Sequence, residues 1–316
     1  MAEIVIMGEL LVEIMRAKED VQLYETGEYF RGPFPSGAPG IFISTAARLG
    51  HSSAIISGVG DDDFGKNILN RLNEVGVDCS RVLVSEEAPT GAAFVTYFKN
   101  GDRKFIFHID HTPAVAAKAP QDDSDFDDTK YFHIMGCSLM ASVSFGKEIV
   151  KTMYMLRKKG AKVSFDPNVR LEMLRDPISL DIVREVYKEA NILMPGISEL
   201  KMITGEKNLE KAVKKAFCEN ERLELLVLKN GSRGSLIYDR NGLADEIGIY
   251  PVEQVDATGA GDSYDAAFLC GLAEGRTIKE AAKMGAAAGA LNAAAFGPME
   301  GNISRETVEK MTDENE

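Results

Sequence analysis

The residues best suited to chemistry lie near the C-terminus, in the run Asp256-Ala257-Thr258-Gly259-Ala260-Gly261-Asp262-Ser263-Tyr264-Asp265. From Gly259 to Gly261 the side chains are small enough for backbone to approach a ligand, and the stretch from Asp262 to Leu272 reads as a helix. A loop of this kind entering a helix presents free N–H groups and the positive end of the helix dipole, both of which favour an anion. Gly259, Ala260 and Gly261 are therefore a candidate anion hole, of the sort that stabilises charge developing on a transferring phosphoryl group. Asp262, at its edge, can accept a proton from an attacking alcohol, a contribution of about 10² to 10⁴ in rate. The alternative is a helix-capping aspartate that contributes about 1 kcal/mol of stability.

Another stretch imitates a phosphate loop and fails on its chemistry. Gly60-Asp61-Asp62-Asp63-Phe64-Gly65-Lys66-Asn67 approximates GxxxxGK[ST], but Asn67 lacks the magnesium-binding hydroxyl, and three carboxylates would face anionic phosphates. With Asp63 at the third glycine position it also fails the dinucleotide fingerprint GxGxxG.

Two patterns define the elements that must position the C-terminal loop. Short apolar runs recur at Ile4 to Met7, Ala54 to Ser57, Tyr131 to Met135, Lys162 to Phe165, Asn191 to Met194 and Leu223 to Leu228. Between them lie segments with apolar residues at three- and four-residue spacing: Ile43 to Leu49, Gly65 to Val75, Phe145 to Lys159, Ile178 to Ala190 and Leu209 to Glu219. This alternation predicts an α/β fold with a mainly parallel central sheet and helices on both faces. Thr277-Ile278-Lys279-Glu280 is a capping box opening an alanine-rich helix toward Ala295.

The region from Thr90 to Asp110 departs from that alternation. Two β-rich arms, Gly91 to Lys99 and Asp102 to Asp110, meet at Asn100-Gly101, the dipeptide favoured in two-residue type I′ turns. Such a hairpin is marginal alone, so it is expected to pair with extended chain from Glu13 to Pro33. The resulting division is a main α/β domain of residues 1–12, 34–89 and 113–316, and a small β-sheet lid of residues 13–33 and 90–112.

Composition narrows the function. The 316 residues carry a net charge of −13 with no basic cluster, which argues against nucleic acid, and no run of roughly 18 apolar residues suggests a membrane span. Cys79, Cys137, Cys218 and Cys270 form no CxxC pair and read as reduced thiols. His108 and His111 alone lie close, at a spacing that points them to opposite faces of a strand. The aspartate-rich run Gln121 to Asp128 lacks the glycine and glutamate of a calcium loop and reads as a solvated connector. A cytoplasmic protein is the expectation.

Gly259-Ala260-Gly261-Asp262, following Asp256, resembles the C-terminal signature of the ribokinase-like (PfkB) carbohydrate kinases. Ser36-Gly37-Ala38-Pro39-Gly40-Ile41-Phe42-Ile43-Ser44-Thr45-Ala46-Ala47-Arg48-Leu49-Gly50 is similar to the N-terminal signature of that family, and Gly58 to Gly65 and Asp166-Pro167-Asn168-Val169-Arg170 fall in order between the two. The resemblance implies an ATP-dependent kinase that phosphorylates a hydroxyl of a sugar or sugar acid, with Asp262 as base. It further implies a sugar site formed by Glu13, Ser36, Gly37, Ala38, Asn168, Arg170 and Asp262. Arg170 also stands just beyond a predicted strand's C-terminal edge, where open α/β sheets place ligand groups; a surface ion pair is its rival reading.

The same resemblance assigns ATP to Lys229, Gly231, Gly234, Gly259, Gly261, Asn292 and Gly297, although a plain tight turn also accounts for Lys229 to Gly234. Glu199 would organise magnesium indirectly, and Asp256 and Thr258 would form a monovalent-cation loop for K⁺. Ile41 and Gly196 replace asparagines usual in the family, and Glu13 an aspartate, which bear on substrate identity. 2-Keto-3-deoxygluconate or a ketohexose is the expected substrate; a ribose or nucleoside kinase, and a sugar- or nucleotide-sensing protein without catalysis, are the alternatives. The lid strands are the expected edge for a homodimer.

Overall fold

Apolar runs too short for helices and lacking polar alternation form strands buried on both faces. The computed structural model describes residues 2–100, 102–170, 173 and 176–314. Its strands are β1 (Ile4–Met7), β2 (Leu11–Arg16), β3 (Phe30–Ser36), β4 (Ser53–Gly60), β5 (Val82–Ser85), β6 (Gly91–Tyr97), β7 (Arg103–His108), β8 (Tyr131–Met135), β9 (Lys162–Asp166), β10 (Ile192–Leu193), β11 (Leu225–Lys229), β12 (Ser235–Asp239) and β13 (Gly242–Ile247). The helices are α1 (Ala38–Arg48), α2 (Asp63–Glu74), α3 (Pro113–Ala116), α4 (Gly136–Ala141), α5 (Val143–Lys158), α6 (Ile178–Glu189), α7 (Ile197–Thr204), α8 (Leu209–Glu219), α9 (Ala260–Ala273), α10 (Ile278–Ala293) and α11 (Arg305–Asp313).

The large sheet runs β13-β12-β11-β10-β9-β8-β1-β4-β5, parallel from β5 to β11, with β12 and β13 added antiparallel at one edge. Every residue of β1 and β8 is buried, as expected for central strands covered on both sides. No described helix is long and apolar enough to cross a membrane. The topology places the chain just beyond β1, β8, β9 and β11 at the C-terminal edge of the sheet, where an α/β fold binds ligands. The expected strands and helices all form. The β12–β13 hairpin, absent from the sequence reading, turns through Arg240-Asn241, with Asp239 paired to Gly242.

The small sheet has the order β3-β2-β6-β7. Its β6–β7 hairpin pairs Ala92 with His108 through Tyr97 with Arg103, and Phe98 N–H donates to Asp102 O at 2.9 Å. Gly101, the second residue of the expected turn, lies outside the described residues. The partner strands β2 and β3 run from Leu11 and to Ser36, past the 13–33 span.

Arg16, 3% exposed, organises the chain between β2 and β3. Its guanidinium donates to the carbonyls of Gln22, Leu23, Glu25 and Glu28 and lies 4.0 Å over the Phe30 ring. These carbonyls have no helix or sheet to satisfy them, so the planar five-donor head does that work. Arg16→Met is expected to destabilise the protein by about 1.5 to 3 kcal/mol, the worth of a charged hydrogen-bonding group. Limited proteolysis should then cut between residues 17 and 29 well before the main domain; an unchanged digestion pattern would show that other contacts hold this segment.

Candidate active site

The chain entering α9 is a turn that only glycine permits. Gly259 has φ +79°, and a Cβ there would lie 2.7 Å from Pro298 O and 3.0 Å from Ile41 Cγ2. Ala260 N–H is directed at Ala257 O at 3.3 Å, while the N–H groups of Gly259, Gly261 and Asp262 have no acceptor among the described residues. The open donors are thus one residue displaced from the expected set: Ala260 serves the turn itself, and Asp262 contributes its amide. Since they open the 14-residue helix α9, the helix dipole adds to their pull on an anion.

This turn is a wall between two cavities. On one side is a space of about 400 Å³ bounded by Lys229, Gly231 and Gly234, by Tyr250 to Val252, and by Ala260, Gly261 and the small residues Ala286, Gly289 and Ala290 of α10. Gly234 is demanded by the protein itself, because with φ +82° its Cβ would stand 1.9 Å from Ile247 O. On the other side is a pocket of about 70 Å³ reached by Glu9, Glu13, Ser36, Gly37, Ala38, Ile41, Asn168, Arg170, Thr258, Gly259 and Asp262, with Arg103, Phe105 and Phe107 of β7 closing it from the lid. Gly37 has φ +97° and no room for a Cβ, which would lie 2.5 Å from Glu9 O.

Asp262 opens onto the smaller pocket and is 9% exposed. Burial, reinforced by the Asp166 carboxylate, pushes its carboxyl up to about 7 against the pull of Lys229, Arg170 and Arg103. Asn168 Nδ2 donates to Asp262 Oδ1 at 3.2 Å, and Asn168 is itself held by donation from its N–H to Asp166 Oδ1. Across the pocket, Ser36 Oγ donates to Glu13 Oε2 at 2.7 Å; Glu13 Oε1 is buried with no hydrogen-bond partner among the described residues, and burial pushes this carboxyl up to about 7 as well.

Three residues of the expected site make structural hydrogen bonds. Asn292 and Gly297 do not line the larger cavity. The close α9–α10 packing turns Ala286, Gly289, Ala290 and Ala293 toward that space, so Asn292 faces the turn and donates to Thr258 O at 2.6 Å. Gly297 N–H donates to Asp256 Oδ2 at 3.0 Å, and Thr258 N–H donates to Asp256 Oδ1 at 2.9 Å. Both residues brace the turn. Glu199 accepts from Val169 N–H and Gly196 N–H, each at 2.8 Å, so the carboxylate pins the Asn168–Arg170 loop to the start of α7.

The sequence reading did not foresee Glu9, whose buried carboxyl accepts from Ser138 Oγ and Cys137 Sγ on the pocket floor. It also missed Arg103, Phe105 and Phe107, although their i, i+2, i+4 spacing places them on one face of a strand. Lys229, assigned to ATP by resemblance, lines the larger cavity, and its Nζ lies 2.8 Å from both Asp166 Oδ2 and Asp265 Oδ2, contacts that the sequence reading did not foresee.

A family profile described as pfkB family carbohydrate kinase matches residues 1–305. The chain belongs to this family. The probable fructokinase-5 of Arabidopsis thaliana is 30% identical over 283 residues, 87% of this chain and 84% of that protein. Fructokinase-2 of Oryza sativa subsp. japonica is 30% identical over 301 residues, 91% and 87% of the two chains. Among solved structures, an E. coli protein provisionally assigned as ribokinase II is 35% identical with a TM-score of 0.91 over 100% of both chains, and has been determined with ATP and Mg²⁺. The pfkB fold therefore accounts for both sheets, and the chain is a carbohydrate kinase.

A general base works only when ionised, so with Asp262 in that role kcat/KM is expected to climb through pH 7 and level off above it. Asp262→Asn should lower turnover by about 10² to 10⁴. Because the folded carboxyl titrates above its unfolded value, the wild type loses stability as pH rises from about 4 to about 7. The variant escapes that loss, and its Tm at pH 8 should equal or exceed that of the wild type. Turnover within threefold of wild type would remove the base assignment.

Proposed function

We propose that this carbohydrate kinase binds ATP in the 400 Å³ cavity and transfers its γ-phosphoryl group to a primary hydroxyl of a ketohexose in the smaller pocket. The carrying observation is the shared wall: Asp262 faces one cavity, Gly261 the other, and unpaired N–H groups lie between. The sugar hydroxyl gives its proton to Asp262 as its oxygen attacks the γ-phosphorus and the bond to the β-phosphate oxygen breaks. Fixed N–H donors stabilise the transferring group without reorganising. The lid side chains exclude water that would otherwise hydrolyse ATP.

Magnesium accompanying the triphosphate would supply charge neutralisation, and it keeps most of its waters. Glu199 fits an indirect role: it is half-buried, and each oxygen retains a lone pair beyond its single backbone bond. Asp256 fits a monovalent cation, since it is buried and has no ion pair among the described residues. Replacing K⁺ with tetramethylammonium should lower kcat several-fold; equal rates would leave Asp256 a purely structural brace.

The ketohexose reading draws on the fructokinases at 30% identity and on polar groups from several sides of the pocket. A sugar acid such as 2-keto-3-deoxygluconate is favoured by a separate observation: Arg103 and Arg170 both reach the pocket, and neither is ion-paired among the described residues. Exposed Phe30 and Ile106 on the outer strands of the small sheet suit pairing with a second copy. Four free cysteines accord with a cytoplasmic setting.

Coupled ADP release over a panel of fructose, tagatose, 2-keto-3-deoxygluconate, ribose and nucleosides tests the assignment. Fructose or another ketohexose should give the highest kcat/KM. A preference for ribose or a nucleoside would overturn both readings. Arg170→Ala should raise the sugar KM at least tenfold while moving the ATP KM less than twofold, and a larger loss with the sugar acid than with fructose would select the second reading.

A further inference from the structure

The β6–β7 hairpin sets Ala93 opposite Phe107, Val95 opposite Phe105 and Tyr97 opposite Arg103. Residues paired in this way share a face of the sheet, and Ala93, Arg103, Phe105 and Phe107 of that face bound the smaller pocket. Tyr97, at the end of the row, bounds neither cavity. Its half-buried ring carries a hydroxyl that is hydrogen-bonded to Thr258 Oγ1, on the residue just before Gly259. Thr258 is buried, and its other polar groups are held from the main domain: its N–H donates to Asp256 Oδ1 at 2.9 Å, and its carbonyl accepts from Asn292 Nδ2 at 2.6 Å. The hydroxyl is the group held from the lid. A second lid contact lands on the far side of the same brace. Phe296 packs edge-on against Phe34 of β3 with ring centroids 5.9 Å apart, the Arg31 guanidinium lies 3.8 Å over it, and the next residue, Gly297, donates its N–H to Asp256.

We propose that Tyr97 is a positioning residue for phosphoryl transfer: its hydroxyl fixes Thr258 from the lid and so sets the direction of the free N–H groups of Gly259, Gly261 and Asp262. The inference rests on the reading of this turn as the anion site between the two reactants. Burial, with Asp256 and Glu13 close by, pushes the phenol up, so the hydroxyl keeps its proton at neutral pH and one is always available for the bond to Thr258. A ring that only filled space in the sheet would need no hydroxyl, and one placed here must find a partner. The partner found is the residue from which the chain enters the turn. A displacement of about 1 Å in a group that acts on the transition state can cost about 10² in rate. With Asp256 and Asn292 still in place, loss of the third attachment should cost part of that. Because Tyr97 borders neither cavity, the loss should fall on turnover and spare the binding of both reactants.

Initial rates with ATP and fructose, or 2-keto-3-deoxygluconate should fructose not be turned over, are measured for wild type, Tyr97→Phe, Thr258→Val and the double variant. Tyr97→Phe keeps the ring and removes the hydroxyl. It should lower kcat about fivefold or more, with both KM values within about twofold of wild type. In the Thr258→Val background the same change should cost less than about twofold, because the bond is already gone. If Thr258→Val does not fold, Thr258→Ala takes its place in the cycle. An equal loss in both backgrounds would mean that the hydroxyl acts elsewhere. A raised sugar KM at unchanged kcat would make Tyr97 a binding residue, and unchanged kinetics would leave it a packing residue. Each of these overturns the proposal while leaving the kinase reading intact. A wild type that phosphorylates neither acceptor would sink the functional reading and the proposal together.

Discussion

The candidate site depends on a steric constraint at Gly259. The chain there must take a left-handed conformation, and it does so with Pro298, Ile41 and Asn292 closing the volume that any side chain would need. That one residue turns the chain from the loop braced by Asp256 into α9, and so decides which amides are left without partners. The bracing is dense: Asp256 is held by two backbone N–H groups, the Thr258 carbonyl by Asn292, and the Thr258 hydroxyl is hydrogen-bonded to Tyr97 of the lid. Backbone dipoles aimed before any ligand arrives act without a reorganisation cost, so a turn fixed in this way suits the anion-binding role proposed for it.

Around that turn the electrostatics are crowded. Glu9, Glu13, Asp166, Asp262 and Asp265 are all buried, and Lys229, Arg103 and Arg170 supply the opposing charge. Burial alone would keep the acids neutral. Neighbouring cations restore ionisation unevenly: Asp166 is drawn below its ordinary value by Lys229 despite its burial, while Asp262 and Glu13 are left near neutrality. A net charge of −13 over the whole chain therefore says little about how the site receives an anionic nucleotide, because the cations that matter are few and close.

The parts legible in sequence were those with local causes. Asn100-Gly101 announced the lid hairpin, the apolar runs at Ile4 and Tyr131 announced central strands, and the glycines before Asp262 announced an anion site. The β12–β13 hairpin turns through Arg240-Asn241, a pair without the glycine that marks a two-residue turn. The contacts that were not legible depend on distance along the chain. Lys229 meets acids 63 and 36 positions away, and Asn292 reaches Thr258 across 34. No window of sequence shows that helix α10 turns its alanines, and not Asn292, toward the larger cavity. Family likeness named Asn292 and Gly297 as part of the site, and both brace its turn, Asn292 through Thr258 O and Gly297 through Asp256 Oδ2.

The lid supplies wall residues to the smaller pocket and none to the larger one. Under the proposed assignment the two reactants occupy spaces with different walls: the nucleotide's cavity is bounded by Tyr250 and Val252 and by no residue of β7, whereas the sugar's pocket is bounded by Arg103, Phe105 and Phe107. Changes in β7 therefore bear on one reactant's space and leave the other's walls as they are.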